Sequence, residues 1–352
     1  MTSLLPKKIG FLSFGAWGPV PGSATPTAAD ALLQTVELAE AAEELGIDGA
    51  YIRVHHFARQ LASPFPLLAA MAARTSRIEV GTGVIDLRYE NPLYMAEEAA
   101  AVDLLSGGRL QLGVIRGSPE PALHGARSFG YVPADGVSEA DDARERIRIF
   151  RAAIAGAGVT PGNPQMTGSD ALLPIQPLSA GLGERIWWGS GTRETARWVG
   201  EQGMNLQSST LLVEDTGVPF GDLQAEQIAI YREAFAAAGW THSPRVSVSR
   251  SILPVTTDED RRYFGGRQEA DQVGLLEGVR SRFGRSYAGS PEDIVEDLLL
   301  DAAVREADTV LLTVPNQLGV AYNTRLLETV ARDIAPALGW SPATSPVGAA
   351  TR

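Results

Sequence analysis

Two adjacent histidines, His55 and His56, end a short apolar and β-branched stretch that runs from Gly49 to Phe57. This composition predicts a buried β-strand, in which successive side chains point to opposite faces. One imidazole can therefore face a site while the other packs away from it, and this divergence argues against one metal ion held by both. Histidine titrates near neutral pH, which suits acid, base or hydrogen-bonding work. Two structural histidines are the competing interpretation of an isolated pair.

A glycine-rich turn and an arginine have the chemistry of an anion site. The turn, Gly189-Ser190-Gly191-Thr192, lies between a predicted strand and a predicted helix N-terminus, where backbone N–H groups and the helix dipole favour an anion. Its two hydroxyls could add donors, and Arg116, which ends the predicted strand LQLGVIR, could clamp a phosphate with two hydrogen bonds. A capped turn and a surface salt bridge are the open alternatives. The turn lacks the GxGxxG spacing of a dinucleotide site and the Gly-Lys-Thr of a P-loop.

Three further features carry weaker signals. Glycines within Gly81 to Val84 interrupt a predicted strand, and such glycines mark a bulge or the close approach of a ligand. Plain barrel packing is the competing account. Arg144 lies in a predicted helix with arginines on several faces, which favours a surface salt bridge. Trp187, Trp188 and Trp198 could form a stacking platform, but their spacing favours core packing.

The composition is that of an ordinary globular protein, with 352 residues, 44% hydrophobic and 20% charged. Its net charge of −12 disfavours binding to nucleic acid or to an anionic membrane. The absence of cysteine excludes disulfides, thiolate zinc sites and cysteine nucleophiles. No stretch approaches the roughly 18 apolar residues of a membrane span, and the N-terminus has too short an apolar run for a signal peptide, so a cytoplasmic location is expected.

Strands and helices alternate along the chain, and these elements must position the residues above. The predicted strands cover residues 8–15, 49–57, 78–87, 110–116, 185–188, 204–208, 245–255 and 308–314. The predicted helices cover residues 27–45, 66–75, 92–105, 139–155, 194–202, 224–238, 290–303 and 323–338. Strict alternation is typical of parallel strands joined by crossover helices.

Eight such pairs predict an α/β protein with a single (β/α)8 TIM barrel over residues 1–340. We expect an excursion at 156–184, a possible lid at 256–288 and a disordered tail at 341–352. The carboxyl ends of the strands carry the active site in such barrels. This favours a functional role for the histidine pair.

In this arrangement the sequence resembles the bacterial luciferase-like family of flavin-dependent monooxygenases, which use a (β/α)8 barrel. The matching landmarks run in the family's order over nearly the whole chain, and together they are specific. They are VHHF at 54–57, VGTGVIDL at 80–87, NP at 91–92, VDLLSGGRLQLGVIRG at 102–117, WGSGTRETARWVGEQG at 188–203 and AGSPEDIVEDL at 288–298.

The resemblance implies roles for particular residues. His55 corresponds to the histidine near the reactive edge of the flavin. Gly83 and Val84 fall where the family has a non-prolyl cis peptide and a strand bulge under the isoalloxazine ring. The residues that match the phosphate-binding positions are Arg116, Ser190, Gly191 and Thr192, with Arg144 as an addition. The predictions made from the residues alone agree with these roles, because a helix N-terminus with an arginine suits a phosphate and glycines suit a flat ring.

The sequence departs from luciferase itself at several positions. Val54 stands where an acidic residue often precedes the histidines, and Ile115 stands where luciferase has a cysteine near the flavin. Ser208 and Ser209 fall near its flavin-contacting tryptophan, and the loop after Gly117 is longer. Light emission and a long-chain aldehyde substrate are therefore not expected.

The function that the resemblance implies is a monooxygenase that uses reduced FMN and dioxygen to oxygenate a small organic substrate. A separate flavin reductase is expected to supply the reduced FMN, because no nicotinamide fingerprint is present, and a homodimer is expected because family members are usually dimers. A deazaflavin-dependent oxidoreductase of the same fold is the second enzyme hypothesis. A non-catalytic flavin-binding protein is the hypothesis from another class. A metal-dependent hydrolase is more distant, since no metal site is predicted.

Overall fold

Eight parallel strands close into a barrel in a computed structural model of the chain, which describes residues 6–117, 121–214, 217–265, 271–276 and 279–343. Each barrel strand pairs with the next one along the chain, and the last pairs with the first. Helices cover the outside of the barrel. The predicted (β/α)8 fold is confirmed.

Both faces of the strands are covered, so most strand residues are buried and the sequences are largely apolar. The barrel strands are β1 Lys8–Ser13, β2 Gly49–Ile52, β3 Glu79–Thr82 with its continuation Ile85–Asp86, β4 Leu110–Ile115, β5 Ile186–Ser190, β6 Asn205–Ser208, β7 Val246–Pro254 and β8 Thr309–Val314. The helices are α1 Ala28–Glu44, α2 Pro64–Arg74, α3 Pro92–Ser106, α4 Glu139–Ile154, α5 Arg193–Glu201, α6 Phe220–Ala237, α7 Pro291–Leu300 and α8 Val320–Thr329.

Shorter elements fill the connections. The short helices are Leu87–Tyr89, Gly125–Ser128, Pro164–Thr167, Leu182–Arg185, Asp258–Phe264, Ala302–Glu306 and Asn316–Leu318, and α8 continues as a π-turn at Val330–Ile334 and a 3-10 turn at Ala335–Leu338. The additional strands are Gly158–Pro161, Leu172–Pro174, Leu211–Leu212, Gln272–Leu276, Val279–Phe283 and Ser286–Gly289.

The predicted excursion and the predicted lid both contain regular structure. Within 156–184, Gly158–Pro161 and Leu172–Pro174 form an antiparallel hairpin between α4 and β5. Within 256–288, two strands form a three-stranded antiparallel sheet with Leu211–Leu212. Residues 266–270 and 277–278 of the lid segment lie outside the described residues, and its role as a lid stays a prediction.

The predicted disordered tail, 341–352, lies mostly outside the described residues, which end at 343. Within the described part, the backbone N–H of Ala343 donates to the carbonyl of Gly46 at 3.2 Å. Residues 341–343 therefore continue along the end of α1.

Several helices begin at caps that were readable in the sequence. Thr27 and Asp30 form a reciprocal capping box at α1. The side chain of Asn91 accepts hydrogen bonds from the first turn of α3, which starts with Pro92. These caps fix where the helices start and therefore where the preceding loops leave the barrel.

Several helix boundaries differ from the predictions, and α6 begins at Phe220, four residues before the predicted start. The helix predicted over 290–303 ends at Leu300, because the side chain of Asp301 caps the separate helix Ala302–Glu306. The helix predicted over 323–338 begins at Val320, directly after Gly319, whose φ of 86° stops the preceding turn. Its regular part ends at Thr329, ahead of Pro336, which has no N–H to donate.

A polar network fills the amino end of the barrel. Arg245 forms two hydrogen bonds of 3.0 Å with Glu79, and its guanidinium lies 4.9 Å from the ring centroid of Trp187. Trp187 donates to Gln111 at 2.9 Å. These partners satisfy the buried charges, so this end of the barrel is packed and the opposite end is left for function.

Among the described residues, no helix combines the length and the apolar character needed to cross a membrane.

Candidate active site

A cavity of about 940 Å³ lies at the carboxyl ends of the barrel strands. This volume falls near the upper end of the roughly 300–1,000 Å³ that is typical of small-molecule and cofactor sites. The cavity is lined by residues that end or follow most of the barrel strands, which agrees with the usual position of the active site in this fold. The predicted site residues that line it are Gly83, Val84, Arg116, Arg144, Gly191 and Thr192.

One wall of the cavity contains a β-bulge in β3. Gly81 pairs with Gln111, and the next pair is Ile85 with Val114, so four steps along β3 match three steps along β4. One extra residue therefore lies in β3, between Thr82 and Ile85. The strand predicted as continuous over 78–87 is interrupted here because the extra residue breaks the ladder.

The expectation of a non-prolyl cis peptide at Gly83 and Val84 is wrong. Among the described residues the cis peptide bond is the one between Gln176 and Pro177, and the bond between Gly83 and Val84 is trans. The chain instead passes the bulge with Val84 at a φ of 154°. A positive φ is strained for a β-branched residue, and such strain clusters at functional sites.

Thr82 replaces the missing ladder bonds at the bulge. Its hydroxyl accepts from the N–H of Gly113 at 2.9 Å and donates to the carbonyl of Gly113 at 2.7 Å. A Cβ on Gly113 would lie 2.5 Å from the Thr82 carbonyl and 2.4 Å from Oε1 of Gln207. Only glycine therefore allows this close approach of β3, β4 and β6.

Arg116 and the N-terminus of α5 lie on the same cavity. Arg116 is exposed, and within the described part of the chain it has no ion-pair partner. Thr192 is the N-cap of α5, and its hydroxyl accepts from the backbone N–H of Thr195 at 3.1 Å and donates to Oγ1 of Thr195 at 2.9 Å, so it does not provide the hydroxyl donor that was predicted. The backbone N–H of Glu194 has no acceptor among the described residues, so the positive end of the helix keeps a donor for an anion.

Two neighbours limit the donors at this end of the cavity. Ser190 is buried and its hydroxyl donates to the carbonyl of Thr192 at 3.0 Å, so it does not provide the donor that was predicted. The carboxylate of Glu214 accepts from the backbone N–H of Arg193 at 3.2 Å. Part of the helix N-terminus is therefore already satisfied by the protein.

Aromatic side chains form another part of the wall. Trp188 and Trp198 pack edge to face with centroids 4.8 Å apart, and both line the cavity. The guanidinium of Arg144 lies 5.3 Å from the Trp198 centroid and 3.8 Å from the carboxylate of Asp141. Core packing describes Trp187 fully, whereas Trp188 and Trp198 also bound the cavity.

His55 lies behind Arg53 and does not itself line the cavity. Arg53 does line it, and its Nε–H donates to Nε2 of His55 at 3.1 Å. Burial, followed by the positive charge of Arg53, lowers the pKa of His55 to about 4. The imidazole is therefore neutral at pH 7, and its proton is on Nδ1 because Nε2 accepts.

The strand predicted over 49–57 ends at Ile52, so His56 lies in the loop after β2 and has surroundings different from those of His55. Its ring stacks on Tyr89 with centroids 4.0 Å apart and meets Phe129 edge-on at 5.3 Å. The two histidines therefore diverge. Within the described residues, no group of three or more histidine, aspartate or glutamate side chains is arranged to hold a metal ion.

A buried network supports the wall at β6. Gln224 donates to the hydroxyl of Ser208 at 2.9 Å and to the carbonyl of Ser209 at 3.0 Å. Gln224 also accepts from Arg250 at 2.8 Å, and Arg250 forms a two-pronged ion pair with Asp301 at 2.8 and 3.1 Å. The two serines on the cavity are thus held by a charged pair outside the barrel.

The family model for luciferase-like monooxygenases matches residues 11–299, which is most of the chain. The chain belongs to this family. The resemblance inferred from the sequence motifs is therefore confirmed.

Curated members of the family are similar over part of their length. Limonene 1,2-monooxygenase of Rhodococcus erythropolis is 32% identical over 172 residues, which are 48% of this chain and 43% of that protein. The oxygenase component of flavin-dependent trigonelline monooxygenase of Acinetobacter baylyi is 26% identical over 223 residues, which are 58% of this chain and 59% of that protein. The match thus spans less than two thirds of either relative.

Solved structures of low sequence identity share the fold. The FMN complex of the oxygenating constituent of 3,6-diketocamphane monooxygenase, a type II Baeyer–Villiger enzyme of Pseudomonas putida, has a TM-score of 0.68 at 19% identity, covering 94% of this chain and 99% of that one. The coenzyme F420-dependent tetrahydromethanopterin reductase of Methanopyrus kandleri has a TM-score of 0.63 at 15% identity, covering 95% and 100%.

The cavity residues of this luciferase-like protein that were not predicted from the sequence include Arg53, Glu194, Gln207 and Ser249. A signal for Arg53 was available, because it precedes His55 by two positions and strand alternation directs both to one side. Gln207 and Ser249 lie in predicted strands, but the side that faces the cavity could not be chosen without the barrel.

Proposed function

We propose that this luciferase-like protein is a flavin-dependent monooxygenase that uses reduced FMN and dioxygen to oxygenate a small organic substrate. The observation that carries the proposal is one cavity that joins an anion-binding end, formed by Arg116 and the N-terminus of α5, to the bulged strand β3. The chemistry that bound reduced FMN would supply is the two-electron reduction of dioxygen, with one oxygen atom entering the substrate and the other leaving as water.

The anion-binding end fits a phosphate. Arg116 presents its guanidinium to the cavity without an ion-pair partner in the described chain, and Glu194 contributes a backbone N–H at the positive end of α5. Gly191 allows this turn to pass close to Leu211, because a Cβ at position 191 would lie 2.9 Å from the carbonyl oxygen of Leu211. Arg116, Gly191, Thr192 and Glu194 are the residues that would hold the FMN phosphate.

The β3 end of the cavity fits a flat ring with polar edges. Gly83 and Val84 form an irregular wall there, and Gln207 has a buried Oε1 without a hydrogen-bond partner in the described residues. A buried acceptor of this kind is costly unless a donor reaches it. Gln207 is therefore the residue that would accept a hydrogen bond from an N–H of the ring.

His55 enters the proposal as a positioning residue. Because its pKa is about 4, it does not donate a proton at pH 7, and its Nε2 instead accepts the Nε–H of Arg53. The neutral imidazole fixes the direction of the guanidinium on the cavity wall. The apolar side chains around the same wall, including Leu12, Phe14 and Ile115, exclude water from the reacting atoms.

We further infer that a separate reductase supplies the reduced FMN. The trigonelline relative is itself named as an oxygenase component, and this chain has no GxGxxG turn for a nicotinamide cofactor. The measurement is the rate of FMN reduction by NADH or NADPH with the purified chain. Reduction by the chain alone, at a rate comparable with its oxygenation rate, would remove the need for a reductase.

The test of FMN binding compares FMN with riboflavin, which lacks the phosphate. We expect FMN to bind more tightly, and Arg116→Met to weaken FMN by about tenfold or more while leaving riboflavin unchanged, because only the phosphate makes the charge-assisted bonds. The matched control is Arg127→Met, which removes an exposed arginine outside the cavity. Equal loss for both ligands would place Arg116 away from the phosphate.

Oxygen chemistry is tested by mixing the FMN-loaded, anaerobically reduced protein with oxygenated buffer. We expect the flavin absorbance to return at a rate different from that of free reduced FMN. A protein that binds deazaflavin and not FMN, or that leaves the oxidation rate unchanged, would contradict the proposal.

A further inference from the structure

Arg53 is a half-buried cation on the cavity wall without an anionic partner in the described chain. Its Nε–H is used by Nε2 of His55 at 3.1 Å. Its two Nη groups have no hydrogen-bond acceptor among the described residues, and Arg53 lines the cavity. Burial lowers the pKa of the guanidinium, but arginine keeps its charge at pH 7.

The surroundings of Arg53 do not compensate this charge. The guanidinium carbon lies 5.4 Å from the ring centroid of Phe14, and its hydrogen-bonding neighbour His55 is neutral. A cation–π contact offsets only part of the cost of removing a guanidinium from water. The carboxylates that line the cavity belong to the first turns of α4 and α5, which follow other strands: Glu139, Asp141 and Glu194.

The position of Arg53 separates it from the proposed phosphate site. Arg53 follows β2, whereas Arg116 follows β4 and Thr192 follows β5. In an eight-stranded barrel, β2 and β5 are three strands apart, and β3 with its bulge lies between β2 and β4. Arg53 and Arg116 therefore follow strands on opposite sides of the bulge, and Arg88, which lines the cavity between them, is paired with Asp86 at 2.7 Å.

We propose that Arg53 binds a carboxylate of the organic substrate through its two free Nη groups. A carboxylate matches this geometry, because its two oxygens can accept two parallel hydrogen bonds from one guanidinium. Nε2 of His55 accepts the Nε–H of Arg53, and this hydrogen bond fixes the orientation in which the two Nη groups face the cavity. The proposal deepens the proposed function, on which it rests, by naming an aromatic or aliphatic carboxylate as the class of molecule that is oxygenated.

The experiment uses benzoate and its neutral isostere benzamide as probes, measured by calorimetry on the full chain with and without FMN. We expect benzoate to bind about tenfold more tightly than benzamide, and Arg53→Met to remove this preference while leaving benzamide unchanged. Arg53→Lys should keep the charge but lose the two-pronged geometry, and so give an intermediate preference. Arg59→Met, which removes an exposed arginine stacked on Trp17, is the matched control.

The outcomes separate this inference from the proposed function. FMN binding is measured on the same samples, so a protein that binds FMN but shows no preference for benzoate in the wild type overturns the assignment of Arg53 alone. A wild-type preference that survives in Arg53→Met overturns it as well. If Arg53→Met lowers the affinity for reduced FMN tenfold and leaves benzoate unaffected, Arg53 faces the flavin instead. The wild-type comparison of benzoate with benzamide remains decisive if a variant fails to fold.

Discussion

The hydroxyl of Thr82 binds both backbone groups of Gly113, accepting from its N–H at 2.9 Å and donating to its carbonyl at 2.7 Å. Thr82 has no exposed surface, and Gly113 is buried. One side chain therefore closes the gap that the bulge opens between β3 and β4. The wall that carries Gly83 and Val84 depends on this single hydroxyl.

We expect Thr82→Val to lower the free energy of unfolding by about 2–4 kcal/mol, because it leaves a buried N–H and a buried carbonyl unsatisfied without changing the side-chain volume. Urea unfolding at pH 7 measures the change. Thr82→Ser keeps the hydroxyl and is expected to cost about 1 kcal/mol or less. Equal losses in the two variants would mean that the methyl group, and not the hydroxyl, stabilises the bulge.

Arg250 and Asp301 provide the second prediction, since their side chains are only 2% and 4% exposed. Arg250→Met leaves the Asp301 carboxylate buried without its cation, and we expect a loss of about 3–5 kcal/mol in the free energy of unfolding. The double variant with Asp301→Asn should be more stable than Arg250→Met alone, because the buried charge is removed. Chemical denaturation of the wild type, of Arg250→Met and of the double variant measures these differences.

An exposed ion pair serves as the control for Arg250. Arg74 and Glu40 also form two hydrogen bonds, at 2.8 and 3.1 Å, but Arg74 is 64% exposed. Arg74→Met is expected to cost less than about 1 kcal/mol because water screens the pair. If Arg250→Met were equally mild, the Arg250–Asp301 pair would not support the wall at Ser208.

Much of the fold could be predicted because parallel strands with both faces covered are apolar runs, and several are followed by a helix with a side-chain cap. The predicted strand 110–116 and the helix from Pro92 therefore match β4 and α3 closely. The resemblance predicted a strand bulge at Gly83 and Val84, but the residues alone did not decide it, because the glycines around Thr82 fit an ordinary strand equally well. Its position follows from the register with β4, which is a long-range property.

The candidate site was predicted less completely. Arg116 and Thr192 line the cavity as expected from their positions after strands. Ser190 was expected to donate a hydrogen bond into the site, but local geometry turns its hydroxyl to the carbonyl of Thr192. The spacing of Arg53 from His55 indicates that the two side chains can meet, but the lack of a counter-ion at Arg53 is a tertiary property that a sequence does not show.

The pH dependence of stability provides the third prediction, through His55. The fold favours the neutral imidazole, with a pKa of about 4 against the ordinary value of 6.5. Between these values the unfolded chain binds a proton that the folded chain does not, so stability rises with pH across this window and the gain is complete above it. The gain is up to about 3 kcal/mol. The difference in the free energy of unfolding between the wild type and His55→Asn, measured from pH 4 to 7, isolates this contribution and should rise with pH, because the other titrating groups are common to both proteins.

The control for His55 is His124→Asn, which removes an exposed histidine and should keep the rise. A second readout is the nitrogen NMR spectrum, in which His55 should carry its proton on Nδ1 at pH 6. A protonated imidazole at that pH would contradict the role of His55 as the acceptor for Arg53.

Glu90 provides the fourth prediction, with the opposite sign. Burial, followed by the charges of Glu98 and Asp86 and opposed by Arg146, raises the pKa of Glu90 to about 7 from its ordinary value of 4.5. The fold therefore favours the protonated carboxyl, and the contribution of Glu90 to stability is lost as pH rises from 4.5 to 7, because the unfolded chain releases its proton first. Glu90→Gln mimics the protonated form at every pH.

We expect Glu90→Gln to match the wild type at pH 4 and to exceed it at pH 8 by up to about 3 kcal/mol in the free energy of unfolding. Thermal or urea unfolding at the two pH values measures the difference. Glu44→Gln, at an exposed position of α1, should change neither value by more than about 0.5 kcal/mol. A variant that is less stable than the wild type at pH 8 would mean that the Glu90 carboxylate is ionised and stabilised by Arg146, which would reverse the sign of its pKa shift.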